Sequence, residues 1–221
     1  MSTSNPEQVR VIAIPVKNLS RCKRRLSPAL SPVERGALTL AMLEDVLDAT
    51  LDLTGWQTWV VSSDEAVLEI AAGRGARAIP EERPTLLAAV RQVESEAIEG
   101  GATALAVLHA DLPLLTRDAL ASALRTLGPV VIAPGKGEGT NLLLRRPPRV
   151  IPASFGKESL SRHRVAAANR ELPAAVVDRG ELRFDIDYPD DVLDFLQMAR
   201  DGRTRETCLE LGLPSRLLAG A

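Results

Sequence analysis

Three aspartates and one basic segment are the residues of this chain best suited to chemistry. Asp111 lies in HADLP, and Asp185 and Asp187 lie two residues apart in FDIDYP. The basic residues follow an apolar run within VIAIPVKNLSRCKRRL, residues 11–26, and are Lys17, Arg21, Lys23, Arg24 and Arg25. Magnesium prefers carboxylate and phosphate oxygens, and cationic side chains balance the remaining phosphate charge. Carboxylates facing these basic residues therefore predict a site for a metal–nucleotide complex.

Each of these signals also has a simpler interpretation. A basic run is commonly a solvated surface, and Asp111 could serve as a turn residue before Pro113. Asp185 and Asp187 alternate along an expected strand, so they would share one face, which could be a solvent face. The position of the basic run directly after a core strand is what favours the functional interpretation.

Two further segments could bind anions. GKGEGTN, residues 135–141, is best interpreted as a hairpin turn, with phosphate contact through its backbone and Thr140 as the alternative. FGKESLSRH, residues 155–163, offers backbone N–H groups and Ser159 at a helix start, where either an anion or a simple N-cap is expected. His109 and His163 have no partner in sequence, and we assign neither as a general base.

Alternating strands and helices must position these residues. Strands are predicted at residues 9–16, 57–63, 76–80, 103–108, 130–135, 140–146, 174–178 and 182–187. Helices are predicted at residues 31–53, 64–75, 84–98, 116–127, 158–170 and 189–200. Ser31 is a candidate N-cap, with Pro32 at the first helical position and Glu34 completing a capping box. The alternation predicts an α/β fold with a mostly parallel, mixed sheet, whose ligands bind at the carboxyl ends of the strands.

Composition limits the classes of function. The 221 residues are 45% hydrophobic and 25% charged with a net charge of −2, which is typical of a soluble globular protein. The near-neutral charge and the 3% aromatic content argue against nucleic-acid binding. No apolar run reaches membrane length, and residues 1–8 lack the apolar core of a signal peptide. Cys22 and Cys208 form no metal-binding motif, so we expect a reducing, cytoplasmic setting.

We expect one domain over residues 1–221, with a core at about 9–200 and a polar, loosely packed tail at 201–221. The segment AAGRGAR, residues 71–77, superficially matches a glycine-rich nucleotide loop. It lies at the end of a helix rather than after the first strand, so we interpret its glycines as a helix stop.

Taken in order, six segments resemble one enzyme family: PVKNLSRCKRRLSP, VVSSD, HADLPLL, GEGTNLLL, FGKESLSRH and FDIDYPDDV. This family is the 2-phospho-L-lactate/phosphoenolpyruvate guanylyltransferases of coenzyme F-420 biosynthesis, and the similarity spans about residues 10–197. The resemblance implies a Rossmann-like, three-layer GT-A-type nucleotidyltransferase fold. It also implies that GTP and a phosphorylated three-carbon acid react to give a guanosine diphosphate-linked acid and pyrophosphate.

By this resemblance, the functional residues fall into three groups. Lys17, Lys23 and Arg25 are expected to hold the GTP phosphates, Asp111, Asp185 and Asp187 to bind Mg²⁺ or Mn²⁺, and Thr140, Gly156 and Ser159 to bind the acid. Two positions depart from the family pattern: Arg24 replaces a small hydroxylated residue, and Leu87 replaces an asparagine, which leaves the guanine preference open.

The identity of the acid is also open. Phosphoenolpyruvate is favoured, with 2-phospho-L-lactate and 3-phosphoglycerate as alternatives. A nucleotidyltransferase for CTP or a sugar phosphate, and a non-catalytic GTP-binding protein, are the other hypotheses, and the resemblance permits a homodimer.

Overall fold

The computed structural model describes residues 9–198 and 200–219. Within these residues the strands are β1 Arg10–Pro15, β2 Gln57–Ser62, β3 Arg77–Pro80, β4 Ala104–Leu108, β5 Val130–Pro134, β6 Thr140–Arg145 and β7 Ala174–Val176. The helices are α1 Pro32–Thr50, α2 Glu65–Gly73, α3 Leu86–Glu99, α4 Arg117–Arg125, α5 Ser159–Ala168, α6 Gly180–Arg183, α7 Pro189–Gln197, α8 Arg203–Glu210 and α9 Leu213–Ala219. The expectation about a signal peptide concerns residues 1–8, which lie outside the described residues.

The strands form one sheet in the order β3-β2-β1-β4-β6-β5-β7. β1 to β4 pair in parallel, β6 runs antiparallel to β4 and β5, and β7 is parallel to β5. The mostly parallel, mixed sheet predicted from the sequence is confirmed. The glycine-rich segment after β5 is a hairpin connection to β6, as the sequence favoured.

Helices cover both faces of the sheet. Ile12 and Ile14 of β1 pack with α1 residues such as Leu43 on one face, whereas Val11 and Ala13 pack with α3 on the other. Because successive side chains of a strand point to opposite faces, a strand buried on both sides is continuously apolar. This arrangement places the carboxyl ends of β1, β2, β3 and β4 side by side at one edge.

Buried contacts hold the backbone of the basic segment between β1 and α1. Leu26 and Leu30 are buried in a cluster with α1, and the Arg35 guanidinium donates to the carbonyl oxygens of Cys22 and Leu30 at 3.2 and 3.0 Å. The predicted capping box of α1 is present: the Glu34 carboxylate accepts from the Ser31 N–H at 2.7 Å. These contacts fix the backbone while the basic side chains stay near the strand ends.

The prediction of a strand at residues 182–187 is wrong. The chain forms the short helix α6 and then an irregular segment that crosses the strand ends, where the Ile186 N–H donates to the Asp111 carbonyl at 3.3 Å. Phe184 and Ile186 are buried against α1 and α7 rather than in a sheet. Apolar residues alternate with the aspartates here because one side of the segment is buried. A half-buried strand gives the same alternation, which is why a strand was predicted.

The expectation of a loosely packed tail is also wrong. Thr204 and Cys208, one helical turn apart on α8, are fully buried, and Leu213 of α9 is 1% exposed. The Asp45 carboxylate of α1 accepts the N–H groups of Arg203 and Thr204 at 2.9 Å each. The segment is polar in composition, but it buries Cys208 and Leu213 while Leu209 and Leu218 stay exposed. Across the described residues, no helix is long and apolar enough to cross a bilayer.

Candidate functional site

A cleft of about 540 Å³ opens at the carboxyl ends of the parallel strands. The loop after β1 contributes Lys17 and Lys23, and the turn after β4 contributes Asp111. Asp187 reaches the same cleft from the segment after α6. Lys17, Lys23, Asp111 and Asp187 therefore line one cavity, whereas Asp185 does not line it.

The three aspartates converge as predicted, although the backbone supporting two of them is not a strand. One carboxylate oxygen from each of Asp111, Asp185 and Asp187 lies within 4.8 Å of the others. Oδ1 of Asp111 is buried and has no hydrogen-bond partner among the described residues. A buried carboxylate oxygen is costly unless something satisfies it. An all-oxygen donor set with such an oxygen fits a hard divalent cation such as Mg²⁺.

Two basic side chains contact these carboxylates directly. Nζ of Lys23 lies 2.5 Å from Oδ2 of Asp111 and 3.1 Å from Oδ1 of Asp187. Arg25 donates to Oδ2 of Asp187 at 2.7 Å and stacks over the ring of Tyr188. Lys23 adopts a left-handed backbone conformation with φ of 43°, which is uncommon for a residue with a side chain. The chain bends there so that the ammonium group points into the acidic cluster.

The pKa values of Asp111 and Asp185 are shifted in opposite directions. Burial raises the pKa of Asp111, but the charge and hydrogen bond of Lys23 together with the nearby His109 outweigh it and hold the pKa below its usual value. Burial would likewise lower the pKa of Lys23, yet Asp111 and Asp187 raise it. The pKa of Asp185 is raised by burial and by the charge of Asp111. The cluster is thus short of positive charge at Asp185, where a cation would relieve the repulsion.

Sequence reasoning missed three residues that hold the aspartates in place. The Asn141 amide donates to the carbonyl of Leu182 at 3.0 Å and to Oδ1 of Asp185 at 3.4 Å. The Asp191 carboxylate accepts the N–H groups of Asp187 and Tyr188 at 2.7 Å each, and Nζ of Lys136 lies 2.5 Å from it. An acidic residue at the third position of α7 is a recognisable capping signal. Asn141 and Lys136 carry no comparable local signal, since their partners lie more than 40 residues away.

The predicted acid-binding residues form a second polar group beside the cleft. Oγ of Ser159 donates to Oγ1 of Thr140 at 3.0 Å, and Nδ1 of His163 lies 3.1 Å from the same oxygen. Nε2 of His163 accepts the Ser154 N–H at 2.9 Å. Burial and the charges of Arg145 and Arg162 lower the pKa of His163 to about 4. The neutral ring therefore carries its proton on Nδ1 and donates it to Thr140.

The pairing of β6 with β4 determines where Thr140 lies. The His109 N–H bonds to the Asn141 carbonyl at 2.9 Å, which places Thr140 beside the end of β4. The Ser159 N–H donates to the Gly156 carbonyl at 3.1 Å. Gly156 has φ of 100°, a conformation that side chains disfavour. Thr140, Gly156 and Ser159 are thus brought together near the end of β4; Thr140 and Ser159 are buried, and none of the three lines the cleft.

The remaining sequence signals lie at the rim of the cleft or away from it. Arg24 is exposed and does not line the cavity. Leu87 is 37% exposed, whereas its neighbour Leu86 lines the cavity. The glycines of AAGRGAR end α2, with Gly75 at φ of 90°, and do not line the cavity.

Comparison with known proteins identifies the family. Residues 9–217 match the family described as guanylyl transferase CofC-like. This chain belongs to that family.

The relatives of this chain are named for different acids. The phosphoenolpyruvate guanylyltransferase of Rubrobacter xylanophilus is 41% identical over 183 residues, covering 81% of this chain and 89% of that protein. The 3-phospho-D-glycerate guanylyltransferase of Phenylobacterium zucineum is 36% identical, covering 86% and 90%. The 2-phospho-L-lactate guanylyltransferase of Methanocaldococcus vulcanius is 30% identical, covering 92% and 91%.

Solved structures agree on the fold. A Desulfovibrio desulfuricans G20 protein assigned to the nucleotide-diphospho-sugar transferases superposes with a TM-score of 0.80 at 14% identity, covering 95% of this chain and 97% of that one. A nucleotidyl transferase from Methanothermobacter thermautotrophicus gives 0.61 at 17% identity, covering 86% and 97%. The expected nucleotidyltransferase fold is confirmed, and with the family it makes the chain a nucleotidyltransferase.

Proposed function

We propose that this enzyme transfers the GMP moiety of GTP to the phosphate of a three-carbon acid and releases pyrophosphate. The observation that carries the proposal is the acidic cluster of Asp111, Asp185 and Asp187 in contact with the basic loop at one end of the cleft, in a chain of this family. Such an arrangement suits a nucleoside triphosphate with its metal, because carboxylates and cations then contact different parts of one ligand.

Asp111, Asp185 and Asp187 would hold Mg²⁺, or Mn²⁺ in its place. A metal bound there neutralises phosphate charge and polarises the phosphoryl oxygens. Lys23 already bridges two of these carboxylates, so its ammonium group lies where it can neutralise charge at the metal end of the cleft. Lys17 lines the cavity, and Arg25 lies beside Asp187. Both can hold the triphosphate while the reaction proceeds.

The acid supplies the nucleophile. An oxygen of its phosphate forms a bond to the α-phosphorus of GTP, and the bond from that phosphorus to the bridging oxygen breaks, so pyrophosphate leaves with the electron pair. The attacking phosphate is already an anion, so no general base is needed. This fits His163, whose lowered pKa and two hydrogen bonds give it a positioning role. Catalysis then rests on positioning and charge neutralisation.

The acid would bind at Thr140, Gly156 and Ser159. Thr140 Oγ1 accepts from both His163 and Ser159, so the Thr140 hydroxyl keeps its own proton to donate to a carboxylate or phosphate oxygen. Gly156 is exposed and offers close backbone approach. The pairing of β6 with β4 places Thr140 near the strand end that leads to Asp111, so an acid bound here would have its phosphate toward the metal end of the cleft.

Phosphoenolpyruvate is our proposed acid, supported by the names of several relatives, among them the Rubrobacter protein. The corresponding role is a step of coenzyme F-420 biosynthesis. Both described cysteines, Cys22 and Cys208, are unpaired and buried, which fits the reducing cytoplasm as the proposed location.

Mass spectrometry of the product tests this proposal. Incubation with GTP, Mg²⁺ and phosphoenolpyruvate should give the guanosine diphosphate-linked acid, and parallel reactions with CTP or ATP should give little product. A product formed from CTP in preference to GTP would favour a cytidylyltransferase, and tight GTP binding with no product from any acid would favour a non-catalytic GTP-binding protein.

A further inference from the structure

The cleft has a second end, opposite the metal cluster, with different chemistry. There the lining residues come from β2, from the connection between β3 and α3 and from the start of α3, and most are apolar: Val61, Pro84, Leu86 and Ala89. The sheet order sets β3 three strands away from β4, roughly 14 Å at a strand spacing of about 4.8 Å. A nucleotide with its phosphates at the acidic cluster can therefore extend its base to this apolar end.

One carboxylate lines the apolar end. Glu81 follows β3 directly, and its N–H donates to the Ser62 carbonyl of β2 at 2.8 Å, which fixes its backbone at the strand ends. Its side chain lines the cavity and is partly buried. Burial raises the pKa of Glu81, a hydrogen bond from Ser63 opposes this, and no described cation contributes. A carboxylate placed in this way has no charged partner among the described residues and can accept hydrogen bonds from a ligand.

We propose that the Glu81 carboxylate recognises the guanine base by accepting hydrogen bonds from its N1–H and its 2-amino group. This inference rests on the proposed function, since it places the phosphates of GTP at the acidic cluster. Guanine presents these two donors side by side, and the two oxygens of a carboxylate match them. Adenine and cytosine present a ring-nitrogen acceptor at the corresponding position, which the carboxylate repels.

The other residues at this end cannot make the distinction. Pro84, Leu86 and Ala89 give apolar surface that any base can use, and the Ser63 hydroxyl can both donate and accept. Leu87, where the family commonly has an amide, does not line the cavity. Among the side chains named at this end, Glu81 is therefore the one that can select guanine by its charge.

The test compares GTP with ITP, which lacks only the 2-amino group, and with ATP. Calorimetric binding in Mg²⁺ buffer should show the wild-type protein preferring GTP over ITP by about tenfold or more, the value of one hydrogen bond to a charged group. Glu81→Gln should reduce this preference to about threefold or less, because a neutral amide oxygen is a weaker acceptor and its NH₂ is a donor. Glu82→Gln is the matched control, since that exposed neighbour does not line the cavity, and it should keep the wild-type ratio.

Equal binding of GTP and ITP by the wild-type protein would overturn the inference without any variant. An unchanged preference in a folded Glu81→Gln protein would overturn it as well. Because binding requires no turnover, the two proposals can fail separately. GTP that binds with the expected preference but releases no pyrophosphate contradicts the proposed function alone, and failure of every nucleotide to bind contradicts both.

Discussion

Asp187 stands at the junction of the acidic cluster and the basic loop. Lys23 and Arg25 both contact its carboxylate, and Asp191 fixes its backbone N–H. An amide at this position would keep the shape but remove the charge that we propose binds the metal. The residue is therefore the most informative single position for the proposed chemistry.

Asp187→Asn should lower kcat by about a hundredfold or more, because metal stabilisation of phosphoryl charge is worth several kcal/mol. The measurement is pyrophosphate release, with circular dichroism to establish folding. Asp190→Asn, an exposed neighbour, is the control and should retain wild-type turnover. A folded Asp187→Asn enzyme with normal kcat would remove the basis for the metal assignment.

His163 should make the free energy of unfolding fall as the pH is lowered. Its pKa is about 4 in the folded protein and about 6.5 in an unfolded chain. Between these values the unfolded chain binds the proton and the folded protein does not, so the free energy of unfolding falls as the pH is lowered. The loss attributable to His163 should approach about 3 kcal/mol once the pH is below both values, and it is absent above about pH 6.5.

Urea unfolding at about pH 7.5 and about pH 4.5 measures this dependence. His163→Gln should be less stable than the wild-type protein at the higher pH, since it loses two hydrogen bonds, but its stability should fall less on acidification. If wild type and variant lose the same free energy between the two pH values, His163 is not the group responsible.

At the scale of residues, the sequence predicted that Asp111, Asp185 and Asp187 would lie close together, because each follows an apolar segment. It did not predict Asn141 or Lys136 as supports of that cluster. Their hydrogen-bond partners lie on segments joined only by the fold, and no local pattern encodes such a contact.

At the scale of elements, the entry to α5 controls the second polar group. Gly156 has φ of 100°, and no neighbour lies closer than 4.0 Å to the place a Cβ would occupy. A side chain there is opposed by the backbone conformation rather than by a clash. Relaxing that strain would turn the backbone that carries Ser159 away from Thr140.

Gly156→Ala should therefore cost about 1–3 kcal/mol in backbone strain. We expect it to raise KM for the acid several-fold and to leave KM for GTP near the wild-type value, as measured by steady-state kinetics. Gly73→Ala, within α2 and with open space around it, is the control and should change neither constant. A variant with equal increases in both KM values would argue against a local role in acid binding.

Element prediction succeeded where burial and periodicity agreed. The capping box of α1 was correct because all of its contacts lie within four residues. Residues 182–187 were misread because one-sided burial gives a strand and an irregular segment the same alternation. The distinguishing fact is the absence of a sheet neighbour, which depends on distant parts of the chain.

At the scale of the whole molecule, α8 packs against the C-terminal half of α1, and Arg216 of α9 pairs with Glu34 in the first turn of α1. Asp45 links α1 to α8, since its carboxylate accepts both N–H groups at the start of α8. Composition alone made this segment look loosely packed, and the burial of Thr204 and Cys208 shows that it is part of the core. The expectations of a single domain and of a homodimer stay predictions.

Asp45→Ala should lower the free energy of unfolding by about 1–2 kcal/mol, because it removes a cap and a negative charge from the N-terminus of α8. Urea unfolding is the measurement. Asp48→Ala on the same helix removes a surface ion pair with Arg74 and should cost less, at most about 1 kcal/mol. Equal losses in the two variants would mean that α8 contributes little to the stability of α1.

Pyrophosphate release tests the central claim most directly. The enzyme is given GTP and Mg²⁺ with phosphoenolpyruvate, 2-phospho-L-lactate or 3-phosphoglycerate in parallel, and with no acid as the blank. We predict release that depends on the acid and is fastest with phosphoenolpyruvate. No release above the blank with any of the three acids, from a folded protein that binds Mg–GTP, would contradict the proposed guanylyl transfer.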